Sequence, residues 1–177
     1  AIMTNDDDLA AKLKMVANHG QSQRYYHDVV GCNSRLDTIQ AAILEIKLKH
    51  LDSYIDARRR VADAYDAAFA PHPKLEPPFR DKSSKHVFHQ YTLILEGLDR
   101  NALQAYLAAH HIPSMIYYPV PAHRQKMFQS LSAETADLPV TDWLTERVIS
   151  LPIHTEMEDE QLQFIISKVL EFADKQN

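Results

Sequence analysis

The sequence contains one cysteine and three glycines among its 177 residues. A single thiol, Cys32, cannot close an internal disulfide, so packing must hold the fold. A reducing, cytoplasmic location is compatible with that. Glycine stands only at 20, 31 and 97, which leaves no room for a G-x-G-x-x-G dinucleotide turn or a Walker loop. No apolar run reaches the ~20 residues a helix needs to cross a bilayer. The ten histidines never fall into H-x-x-x-H or H-E-x-x-H, and there is no C-x-x-C. A structural metal site is therefore not expected. G-x-S-x-G is absent too, and Cys32 has no local base beside it. The net charge of −5 argues against nucleic acid or an anionic membrane surface as partner.

What is present suits a globular protein: 45% of residues are hydrophobic and 24% charged. The chain opens on "AIMTND", a strand-like apolar stub with nothing before it to pair with. We read this as a fragment lacking an N-terminal part. Asn5 to Asp8 look like a cap and acidic first turn, followed by Leu9, Leu13 and Val16 at helical spacing, with Gly20 as the stop. Residues 21–32 have no helical period and read as a loop. Ser34 and Asp37 have the spacing of a capping box. From there to Ala70 no glycine or proline interrupts two successive apolar stripes. One helix over 34–70 would span roughly 50 Å, enough to join two domains. Beyond it, strands are expected in "HVFHQYTLIL", "SMIYY" and "RVISLPI", and helices after Asp99 and over 158–173. The expected fold class is α+β, divided as 1–33, 34–70 and 71–177.

Three constellations carry candidate chemistry. "GCNSRLDTIQAAIL" runs Asn33, Ser34 and Arg35 into a helical pattern. Free N–H groups at a helix start, two polar side chains and a guanidinium fork suit an anion. The plainer reading is a capped helix with a surface arginine. "YYPVPAH" sets Tyr117 and Tyr118 at a strand end before two prolines and His123. One tyrosine is expected in the core and the other at a pocket wall, and simple packing explains both equally well. "ARRR" at 57–60 reads as a solvated or ion-paired helix face.

Taken together, "TNDDDLAAKLKMVANHG", "GCNSRLDTIQAAIL", "RRRVADAYDAAF", "IYYPVPAH" and "LPVTDWLTERVISLPIH" resemble the DegT/DnrJ/EryC1/StrS family. These are fold-type I, pyridoxal-phosphate (PLP) enzymes, mostly aminotransferases of nucleotide-linked keto-sugars. The resemblance implies the end of a large α/β domain, a linking helix, and a small domain with a short antiparallel sheet. It implies a homodimer with a shared active site, PLP as cofactor, and glutamate as amino donor. It places the Schiff-base lysine upstream of Ala1, so no catalytic residue lies in this sequence and the fragment is expected to be inactive. By the same resemblance, Asn33 binds the phosphate of the cofactor held by the other subunit. Arg35, Tyr117, Tyr118, His123 and Tyr26 would meet the sugar nucleotide. Many relatives carry histidine where Tyr117 stands. Some relatives are dehydratases, with histidine in place of that lysine, and this sequence does not contain the deciding position. A non-catalytic assembly module is the rival from another class.

Overall fold

The computed structural model describes residues 2–131 and 137–175, in two compact units, Ala1–His50 and Leu51–Asn177. Among the described residues no helix is long and apolar enough to cross a membrane.

In the first unit, α1 (Asp7–Ala17) starts where the sequence places it. Asp6 is the cap, its carboxylate accepting from the Leu9 N–H at 2.9 Å, and Asp7 and Asp8 face the positive end of the helix dipole. Ile2 to Thr4 form no strand, and Ala1 lies outside the described residues. Residues 21–32 are more than a loop, because β1 (Gln21–Gln23) and β2 (Tyr26–His27) make a small antiparallel hairpin. Its base is pinched by two glycines. A Cβ on Gly20 would lie 1.8 Å from the Val29 carbonyl oxygen, and one on Gly31 would lie 2.1 Å from the Gly20 nitrogen. Gly20 is also in the left-handed region at φ +75°.

The single helix expected over 34–70 is two. α2 (Thr38–Leu48) and α3 (Leu51–Phe69) are separated at Lys49 and His50, whose N–H groups bond three residues back, to Ile46 and Lys47. A three-residue turn of this kind needs neither glycine nor proline, so no breaker marks it in the sequence. α2 buries none of its residues.

The second unit holds the core. Val61, Ala62, Tyr65 and Phe69 line one face of α3 and are fully buried. β3 (Leu75–Glu76), β4 (Tyr91–Leu95) and β5 (Val148–Leu151) form an antiparallel sheet in that order, with Leu75 opposite Leu95 and Tyr91 opposite Leu151. α4 (Arg100–Ala109) is capped by Asp99, which accepts from the N–H groups of Asn101 and Ala102. It contributes Leu103 and Leu107 to the core, and α6 (Asp159–Lys175) contributes Leu162, Ile165, Val169 and Phe172. α5 (Pro139–Arg147) was not foreseen as a helix.

Two expected strands are cut short for identifiable reasons. "HVFHQYTLIL" pairs only from Tyr91, because the carbonyls of His86, Phe88 and His89 accept from arginines instead, and Phe88 turns to φ +50°. "SMIYY" is reduced to one bridge, Met115 with Ser150, since prolines at 113, 119 and 121 cannot donate to a ladder. The third expected strand, "RVISLPI", forms as β5, and Leu75–Glu76 is a strand the sequence did not suggest.

The arginine run is a set of clamps more than a solvated face. Arg58 Nη1 lies 3.2 Å from each of three carbonyl oxygens, those of Phe88, His89 and Ile153. Arg59 donates to the His86 carbonyl. Arg60 donates to the Met157 carbonyl and pairs with Asp159. Arg58, Ala62 and Tyr65 share a helix face, and the Tyr65 hydroxyl donates to the Pro152 carbonyl at 2.8 Å.

A second core tyrosine makes a polar link. The fully buried Tyr91 donates its hydroxyl to Asp66 at 2.7 Å, and Arg80 pairs with the other carboxylate oxygen at 2.7 Å. Burial, then the carboxylate, pushes the Tyr91 hydroxyl well above the usual phenol range, so it remains a donor. Tyr91→Phe keeps the ring against Tyr65 but removes a hydrogen bond to a charged group. The expected cost is about 1.5–3 kcal/mol, read as a lower urea midpoint with unchanged slope. In the first unit, Gly31→Ala forces a Cβ into backbone atoms. Amide exchange at Cys32 and Ser34 should rise sharply, while Gly97→Ala, whose Cβ meets nothing within 4 Å, should cost only about 1–2 kcal/mol of left-handed strain.

Candidate functional site

The last carbonyls of α1 need donors, and the segment after Gly31 supplies them. The Cys32 N–H donates to the Val16 carbonyl and the Ser34 N–H to the Ala17 carbonyl, both at 2.9 Å. The His19 N–H returns to the Cys32 carbonyl at 2.9 Å, and Asn18 and Asn33 pair as an antiparallel bridge. Backbone pairing thus fixes Asn33 beside the end of α1. This arrangement corrects the expected capping box. Ser34 is held in the bridge, α2 begins only at Thr38, and its cap residue Asp37 makes no side-chain cap bond. Asn33 therefore does not stand at a helix start, and no helix dipole supports an anion there.

What remains is a side-chain pair. Arg35 Nε donates to Asn33 Oδ1 at 3.0 Å, and Arg35 Nη1 reaches Asn18 Oδ1 at 3.4 Å. A guanidinium only donates, so the amide oxygen of Asn33 must face it and the NH2 points elsewhere. Among the described residues no carboxylate pairs with Arg35. Its side chain borders two open grooves along α1, one of about 930 Å3 with Lys12, Asn18 and Gln21, and one of about 850 Å3 with Lys14 and Ser34. Lys12 and Lys14 beside the Arg35 fork suit an anion, although the Asp8 carboxylate lines the first groove as well and Asn33 lines neither. Tyr26 lies on the hairpin with its ring exposed, and it borders neither groove.

The second unit carries the other candidates. Tyr117 and Tyr118 meet edge to face, with ring centroids 5.6 Å apart. Neither is a core residue: they are 38% and 71% exposed. The chain has already left the sheet at Met115, so no strand turns one ring inward. Both rings line a groove of about 550 Å3 with Pro119, Val120, Met127 and, from α5, Thr141, Leu144 and Thr145. The α5 residues lie in a stretch that carries the family resemblance, but hydroxyls and a leucine on a short helix match no catalytic or binding motif that would single them out.

His123 is placed differently. Its side chain is 8% exposed, it does not line the groove, and its Nε2 lies 3.5 Å from Asp142 Oδ1, too far and misaligned for a hydrogen bond. Asp142 is instead gripped by Arg124, Nε to Oδ1 at 2.9 Å and Nη2 to Oδ2 at 2.5 Å. The Arg124 fork holds the Asp142 carboxyl below the usual carboxylate range. The structure thus joins Asn33 to Arg35, and Tyr117 to Tyr118, while Tyr26 and His123 stand apart from these pairs within their own units.

Known proteins resemble this chain in sequence and fold. The chain is 44% identical over 168 residues to a UDP-N-acetyl-3-dehydro-alpha-D-glucosamine 3-aminotransferase of Acidithiobacillus ferrooxidans, covering 95% of this chain and 44% of that protein. It is 40% identical over 173 residues to a pleiotropic regulatory protein of Geobacillus stearothermophilus, covering 97% and 46%. The crystal structure of DesV from S. venezuelae in complex with a ketimine intermediate matches with TM-score 0.88 at 35% identity, covering 97% of this chain and 46% of that one. The chain spans just under half the length of the relatives it matches. The model of the DegT/DnrJ/EryC1/StrS aminotransferase family matches residues 1–170, with the α+β fold of the corresponding part of its solved members, and the chain belongs to that family.

Proposed function

We infer that this chain is the C-terminal portion of a longer, cytoplasmic, PLP-dependent aminotransferase. Its reaction transfers an amino group from glutamate to a nucleotide-linked keto-sugar. The observation that carries the reading is the Asn33–Arg35 pair, an anion-suited donor set inside a family match that spans nearly the whole chain. In this reading no lysine of the chain holds the cofactor, and the 177 residues alone are inactive.

The residues present fit a phosphate. With Oδ1 committed to Arg35, the Asn33 NH2 keeps its two donors, and Arg35 adds a charge that forms no ion pair with a carboxylate among the described residues. When bound, PLP supplies an electron sink for moving a proton at the carbon that exchanges nitrogen. The role of this chain is to bind and orient. Asn33 donates to the phosphate of the cofactor held by a second subunit. Arg35 and Tyr26 meet the sugar nucleotide's charged side, and Tyr117 and Tyr118 flank the sugar. His123 serves from behind, as part of the loop's support.

Exposed apolar surface supports the homodimer of this reading. α2 and its approach expose Leu36, Ile39, Ile43, Leu44, Ile46 and Leu48, and among the described residues 2–50 only Gly20 is buried. A 50-residue unit without a core of its own needs cover, which we assign to the rest of the longer chain and to the second subunit.

The deciding test incubates the full-length enzyme with glutamate and a panel of UDP-, dTDP- and GDP-linked keto-sugars. Amination of at least one is expected, with no turnover by the 177-residue chain. Dehydration without nitrogen transfer would replace this reading with that of a sugar dehydratase.

The cross-subunit role of Asn33 has its own check. In the full-length enzyme, Asn33→Ala should weaken cofactor retention roughly 10- to 100-fold, the worth of one hydrogen bond to a charged group. The melting temperature without cofactor should barely move, because the backbone bridge to Asn18 survives. When Asn33→Ala subunits are mixed with subunits lacking the cofactor-bearing lysine, one competent site per mixed dimer should retain cofactor normally. Retention there as poor as in the Asn33→Ala homodimer would rule out action across the interface.

A further inference from the structure

The groove beside Tyr117 and Tyr118 has two walls of different construction. One wall is α5, which presents Thr141, Leu144 and Thr145. α5 is anchored to the start of α4, since Arg100 Nη1 donates to the Thr145 carbonyl. The other wall is the proline-rich segment from Tyr117 to Ala122, continued by Gln125 and Met127. It leaves the sheet at Met115, and the hydrogen bonds given for it are local: Arg124 N–H to the Pro121 carbonyl at 3.0 Å, Gln125 N–H to the Ala122 carbonyl at 3.1 Å, Gln125 Nε2 to the Val120 carbonyl at 3.3 Å and Phe128 N–H to the Gln125 carbonyl at 2.9 Å.

Arg124 and Asp142 cross between these walls. Arg124 sits in sequence between the lining residues Ala122 and Gln125, and Asp142 sits between Thr141 and Leu144. Their contact is bidentate and joins positions 18 apart. A single exposed ion pair would hold little, but two parallel bonds from a planar fork fix both distance and orientation. His123, buried at the same junction, brings its Nε2 to 3.5 Å from Asp142 Oδ1.

We propose that Arg124 and Asp142 are positioning residues, a clamp that sets the width of the groove and thereby the placement of Tyr117 and Tyr118 against the sugar of a nucleotide-sugar. The proposal rests on the aminotransferase reading for its ligand, while the clamp itself rests on geometry alone.

Two measurements separate these. Hydrogen exchange is measured on Asp142→Asn and on the swapped pair Arg124→Glu/Asp142→Arg, in the full-length enzyme. In Asp142→Asn, amides of the 117–128 peptide should exchange at least tenfold faster, while the β4 peptide 91–95 is unchanged. The swapped pair should return most of the protection. In steady-state kinetics, Asp142→Asn should raise KM for the keto-sugar nucleotide about tenfold, with kcat and the glutamate KM within threefold of wild type, and the swap should rescue it. Unchanged exchange in 117–128 overturns the clamp. Faster exchange throughout, or equal rises in both KM values, reduces the pair to a general stabiliser and overturns the positioning role. A wild-type enzyme that aminates no keto-sugar in the panel overturns the function reading, whatever the exchange data show.

Discussion

The second unit is organised by one guanidinium. Arg58 gathers the carbonyls of Phe88, His89 and Ile153, which belong to segments distant in sequence, onto the face of α3 that also buries Ala62 and Tyr65. Carbonyls outside a ladder need donors, and a planar cation with several N–H groups can serve more than one. Because the approach to β4 is held this way, Tyr91 enters the sheet in register with Leu151. Tyr65, two turns further along α3, fastens the Pro152 carbonyl. The sheet, its core face and the turn after β5 are all referred to α3 through these contacts.

The candidate chemistry stands on backbone geometry rather than on helix ends. In the first unit, two glycines let the chain return close enough for residues 32–34 to satisfy the end of α1, and that return carries Asn33 and Arg35 into place. In the second unit, three prolines stop the sheet after a single bridge and release Tyr117 and Tyr118 to solvent. In both cases a residue poor in conformational choice, or unusually rich in it, decides where polar side chains emerge. The first cluster gathers donors suited to an anion, and the second sets two exposed aromatic rings edge to face.

The sequence by itself determined the elements whose signals are local. Asp6 and Asp99 cap their helices because a carboxylate next to unpaired N–H groups needs no distant partner. The core faces of α4 and α6 follow from apolar spacing, and the order of the quoted motifs pointed to the family. Tertiary structure decided what depends on competition for backbone groups. The break at Lys49 and His50 uses a three-residue turn that any sequence can adopt. Ser34 gave up its capping role because its N–H was claimed by Ala17, a bond between residues 17 apart. The first half of "HVFHQYTLIL" left the sheet because arginines 27 to 31 positions away claimed its carbonyls. His123 lies near Asp142 only through the placement of α5, 19 residues on in sequence. A donor or acceptor pairs with the best partner within reach, and reach is a property of the folded chain that no local pattern records.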